Sequence, residues 1–106
     1  MTISRPLKTQ WFHILLALAE RDRHGYGIQR AVLQQTEGQV RLWPAMLYRS
    51  LSLLTDEGMV SVVDAPADEP EDGRRLYYSL TSKGKKLLQA EAEVLAQWAE
   101  AARAVS

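Results

Sequence analysis

A mainly α protein with a small β-hairpin is predicted by three features of these 106 residues. Apolar side chains recur three and four positions apart in successive stretches of the first half, a spacing that gathers them on one face of a helix. Two short runs rich in valine, tyrosine and threonine flank a segment holding Pro66, Pro70 and Gly73, which is the pattern of a hairpin. Residues 81 to 106 contain no proline and are dominated by alanine and leucine, so they predict one long terminal helix.

PLKTQWFHILLALAE places Leu7, Trp11, Ile14, Leu15 and Leu18 on one face and predicts a helix over about residues 6 to 21. RDRHGYG is a polar break, with His24 as a turn or capping group, after which IQRAVLQQT turns Ile28, Val32 and Leu33 inward until Gly38 stops it. QVRLW is apolar and β-branched enough for a very short strand, and Pro44 suits the first position of a third helix, where its missing N–H is not needed.

That third helix, AMLYRSLSLLTDEG, has an inward stripe of Leu47, Leu51 and Leu54, with Gly58 as its left-handed cap. Its opposite face carries Ala45, Tyr48, Arg49, Ser52 and Asp56, a lean and partly basic surface able to enter a groove. MVSVVDA and RRLYYSLT form the hairpin, and strand alternation puts one of Tyr77 and Tyr78 in the core and the other outside. Thr81 is the N-cap of the last helix, where Leu88, Leu95 and Ala102 stand seven apart beside Leu87, Val94, Trp98 and Val105. So broad a stripe needs something to pack on.

Helix, helix, short strand, helix, strand, strand, helix is the order of a winged helix-turn-helix followed by a long C-terminal dimerisation helix. The expected division is residues 1–80 for DNA binding and 81–106 for dimerisation. The chain is neutral, with 13 basic and 13 acidic side chains, yet it sorts them: residues 64 to 72 hold five acidic and no basic groups, residues 73 to 86 five basic and no acidic ones. An anion-binding surface must therefore be local. The absence of cysteine excludes disulfides and thiolate metal sites and fits a cytoplasmic protein, and the run Trp11 to Ala19 is too short to span a membrane. Two isolated histidines make no metal site, no cofactor motif is present, and neither a glycine-rich phosphate loop nor a nucleophile grouping suggests an enzyme.

HGYGIQR at 24 to 30, LYRSLSLLTDEGMV at 47 to 60 and GRRLYYSLTSKGKKLL at 73 to 88 together strongly resemble the PadR family of transcriptional regulators. The single terminal helix is similar to that of the compact PadR subgroup. The resemblance implies a homodimeric repressor that binds double-stranded, palindromic operator DNA and releases it when a small planar aromatic or phenolic effector binds. It also implies that Tyr48 and Arg49 touch DNA and that Arg74 and Arg75 form the basic base of the wing. Arginine can grip a phosphate or a guanine edge through two parallel hydrogen bonds, and a tyrosine hydroxyl can hold a phosphate. Ala45 and Met46 depart from the small residue and hydroxyl common before LYR, which removes one phosphate contact.

The acidic wing tip, Asp68, Glu69, Glu71 and Asp72, would oppose counterion release at the duplex, so it is expected to point away from DNA. Ser52 completes the third-helix surface, and Lys83 is a phosphate candidate beside the wing or an ordinary solvated lysine. Tyr26 either fills the core beneath the second helix or offers its hydroxyl to a phosphate. His13 is expected to be a hydrogen-bonded core or edge histidine. Trp98 is expected to anchor the dimer interface or to stack on the effector, in a cavity with Val94, Leu95, Ala102, Trp11, Phe12 and Leu15. The rival reading is a winged-helix module that binds a protein through its acidic tip, without DNA.

Overall fold

The computed structural model describes residues 8–67 and 76–105. Four helices, α1 (Thr9–Glu20), α2 (Gly25–Gln35), α3 (Pro44–Asp56) and α4 (Ser82–Arg103), combine with strands β1 (Arg23–His24), β2 (Val60–Val63) and β3 (Tyr77–Leu80). The acidic tip and its basic base, Arg74 and Arg75, lie outside the described residues.

The inward stripes set the packing. Ile14, Leu15 and Leu18 of α1, Ile28 and Val32 of α2, and Leu47, Leu51 and Leu54 of α3 close into one core with Leu42, Met59, Val60, Tyr78 and Leu88. Burying each such aliphatic side chain contributes about 1.5–3 kcal/mol relative to exposure. The caps follow the sequence too. His24 Nδ1 accepts from Gly27 N at 3.0 Å and the Thr81 hydroxyl accepts from Gly84 N at 3.0 Å, satisfying N-terminal donors of α2 and α4. Gly58, at φ 80°, turns the chain out of α3, while Met59 N donates to Leu54 O at 2.9 Å and Gly58 N to Thr55 O at 3.0 Å. After α2 two successive residues are left-handed, Glu37 at φ 53° and Gly38 at φ 82°, and Gly38 N donates to Leu33 O at 2.8 Å.

Two strand expectations are corrected. QVRLW is not a strand: Leu42 is fully buried and its carbonyl accepts from the Gln29 side-chain amide, so α2 takes up the bonding capacity that a strand partner would need. The third strand is Arg23–His24, within the expected polar break, and the sheet runs β1-β3-β2 with both pairs antiparallel. Arg23 explains it. Its guanidinium donates to Ala17 O at 3.0 Å and to Glu20 at 2.6 Å, fastening the chain extended beside the free edge of β3. As the central strand, β3 buries both Tyr77 and Tyr78, at 4% and 6% exposure, where alternation predicts one outside. His24 meets the Tyr77 ring edge-on at 5.2 Å.

Helix α4 begins on the core and leaves it. Leu88 and Glu91 are buried, but beyond them Leu95, Trp98 and Val105 are exposed, and the molecule extends 54 × 33 × 25 Å. Its first turn is fixed to the end of α3. The Thr81 hydroxyl donates to Gly58 O at 2.7 Å, Thr81 N to Met59 O at 3.1 Å, and Lys83 Nζ to Glu57 O at 2.7 Å.

Candidate nucleic-acid interface

With Leu47, Ser50, Leu51 and Leu54 turned inward, the outer face of α3 presents Ala45, Tyr48, Arg49, Ser52 and Asp56 to solvent, as the period requires. Between this face and the sheet runs a groove of about 240 Å³, lined by Tyr48, Ser52, Thr55 and Asp56 on one side and Val62 and Tyr78 on the other, with Leu51 also lining it. Burial chiefly, and the neighbouring Tyr48 phenol secondarily, push the Tyr78 hydroxyl above its ordinary range, so it stays a neutral donor and acceptor.

Tyr48 does not extend freely into solvent. Its ring lies across Gly25: a Cβ on that glycine would stand 2.7 Å from Tyr48 Cζ and 2.9 Å from Cε1. The glycine of HGYG therefore makes room for the tyrosine of LYR, and the two motifs meet in space. Tyr26 is 56% exposed, which overturns its core alternative; Gly25 and Ile28 occupy the inward positions of that turn instead. Its ring stacks near-parallel on His24 at 6.3 Å, with the Arg30 guanidinium 5.8 Å above it.

The other expected site residues divide. Ser52 and Arg49 share the α3 surface with Tyr48, while Lys83 is tied to the α3 terminus and so has a structural task the sequence did not suggest. Leu15 is fully buried in the core of its own subunit, so it cannot line an intersubunit cavity. Trp11 and Phe12 are partly buried at the core's margin, and Trp98, at 53% exposure, stands on the projecting half of α4 with Leu95. His13 is not hydrogen-bonded as expected: among the described residues nothing pairs its buried Nδ1. Arg41 and Trp43, both exposed just before α3, escaped the sequence reading; their alternation about Leu42 ahead of Pro44 was the available signal.

Among the described residues there is no cluster of three metal-ligating side chains, and no helix is long and apolar enough to cross a membrane. A helix-turn-helix with a sheet-borne wing defines a winged-helix protein of the regulator class. Residues 14–90 match the transcriptional regulator PadR-like family, and the chain belongs to that family, which comprises regulators and not enzymes. An uncharacterized protein from Lysinibacillus sphaericus is 31% identical over 87 residues, covering 82% of this chain and 75% of the relative. A solved transcriptional regulator from Clostridium thermocellum superposes with TM-score 0.77 at 23% identity, covering 99% of this chain and 100% of the other. Bordetella bronchiseptica BpsR, whose DNA binding is regulated by 6-hydroxynicotinic acid, superposes with TM-score 0.70 at 17% identity, covering 99% of this chain and 71% of the other.

Proposed function

We propose that this regulator is a homodimeric repressor that reads operator DNA with α3 and lets go when a planar aromatic effector binds between its α4 helices. The outer face of α3 carries the reading: Tyr48, Arg49 and Ser52 are exposed on a helix whose opposite face is wholly committed to the core. Arg49 reaches a base edge or phosphate, Tyr48 and Tyr26 offer hydroxyls to the backbone, and Arg74 and Arg75 grip phosphates beside the wing. Residues 1–80 form the DNA-binding part and 81–106 the dimerisation helix. Dimerisation is supported by the exposure of Leu95 and Trp98 on a helix that has outrun its own core. In the dimer Trp98, Val94, Leu95 and Ala102, with Trp11 and Phe12 of α1, line the effector cavity, and half-sites lie about 34–36 Å apart. Regulation of BpsR by a small aromatic acid supports the effector class.

The test is binding to duplex DNA taken from beside the protein's own coding region, across a salt series. Wild type should bind with affinity falling steeply in salt, and Arg49→Ala should bind more weakly with a slope smaller by about one counterion. Salt-insensitive binding, or none, would return the molecule to the protein-binding reading.

A further inference from the structure

We infer that Arg41 and Trp43 form a second DNA-reading element at the entrance of α3, with the indole of Trp43 packing on a thymine methyl group and Arg41 holding the adjoining phosphate. This inference rests on the operator-binding reading above. The backbone dictates the pairing. Trp43 is extended at φ −74° and ψ 146°, and in extended chain alternate side chains share a side. Leu42 between them is fully buried, and its carbonyl is held by the Gln29 side chain. Pro44 then starts the helix at once. Arg41 and Trp43 are thereby presented outward together, the guanidinium 5.4 Å from the centre of the indole.

Helix stability does not account for the residue. Trp43 is the N-cap of α3 and makes no side-chain capping bond, although serine, threonine or aspartate would cap there. Instead a 61% exposed tryptophan, the most exposed of the large aromatic side chains described, stands at the helix end that enters the groove in this class of fold. Its occupant is DNA on two grounds: the cation over its ring suits a phosphate, and it begins the same helix that exposes Tyr48 and Arg49 five and six residues on. A flat apolar indole has one matching feature in the major groove, the thymine methyl.

The experiment uses the same promoter duplex in two forms, natural and with every thymine replaced by uracil, which deletes only the methyl groups. Wild type should lose about tenfold in affinity on the uracil duplex. Trp43→Ala should bind the natural duplex about tenfold more weakly than wild type and bind both duplexes alike. Arg41→Ala should lower the salt slope by about one. The change in tryptophan emission on adding DNA should disappear in Trp43→Ala. Thermal melts of the variants should match wild type, since the indole is exposed and caps nothing. If wild type binds DNA and loses affinity with Arg49→Ala but not with Trp43→Ala, the second element is wrong and the operator reading stands. If wild type shows no salt-dependent binding, both fall together.

Discussion

Replacing Gly84 with alanine sets helix propensity against packing. In an exposed helix interior alanine is favoured over glycine by about 1 kcal/mol, so propensity alone predicts a more stable protein. Gly84, however, is buried in the first turn of α4. An alanine Cβ would stand 2.7 Å from Leu80 Cδ1, 3.1 Å from the Met59 carbonyl carbon, and nearer still to the Met59 oxygen. Leu80 can turn aside. Met59 cannot, because its carbonyl accepts from Thr81 N at 3.1 Å, one of the bonds that fasten α4 to the end of α3.

Overpacking a core costs about 1–3 kcal/mol, and an obstacle made of bonded backbone belongs at the upper end. Subtracting the propensity gain leaves a net loss of about 2 kcal/mol. For a domain of this size that lowers Tm by about 10 °C. The assay is thermal and urea unfolding followed by circular dichroism, at one fixed protein concentration, because association would make Tm depend on it. A Gly84→Ala protein as stable as wild type would refute the packing argument and with it the rigid junction between α3 and α4.

Gly25→Ala meets a movable obstacle, the half-exposed ring of Tyr48, so it should fold normally yet displace that ring. Operator affinity should fall about fivefold, the worth of one hydrogen bond, and adding Tyr48→Ala should cost nothing further in the same titration. His13 tests pH dependence: desolvation holds its pKa below the ordinary 6.5, so the folded protein resists a proton that the unfolded chain accepts. Stability should be complete above pH 6.5 and decline as pH falls below it toward the folded value, and His13→Gln should remove that decline in urea titrations between pH 7.5 and 5.5.

The helices were legible because their period is local. Leu47, Leu51 and Leu54 declare the buried face of α3 at three and four residue spacing, and the remaining residues are thereby assigned to solvent. Thr81 and Gly58 were legible for the same reason, since a cap is settled within a few residues. The β1 strand was not. Arg23–His24 is extended only because β3, more than fifty residues later, offers an open edge, and no pattern in RDRHGYG announces it. Tyr77 and Tyr78 failed as an alternating pair for a related reason: alternation assumes a sheet with one wet face, whereas β3 is the covered middle strand. Of the candidate interface, the exposure of Tyr48 and Arg49 followed from the α3 period. The closeness of Tyr48 to Gly25 required the tertiary packing of α2 on α3.

The junction between α3 and α4 also constrains how the proposed effector would act. Thr81 and Lys83 each bond a carbonyl at the end of α3, and Gly84 lies against Met59, so α3 and the start of α4 move as one body within a subunit. In the proposed dimer a ligand between the α4 helices would therefore gain little by bending a single subunit; it would have to bind better to a dimer whose α4 helices cross at a different angle. From Trp98 back to Thr81 the helix runs about 25 Å, at 1.5 Å per residue. A rotation of about 8° near Trp98 then swings the α3 end by about 3.4 Å, one step of a DNA strand. In the proposed dimer so small a rotation would bring the two α3 helices out of register with successive grooves, and an exposed tryptophan far from α3 would thereby control what α3 reads.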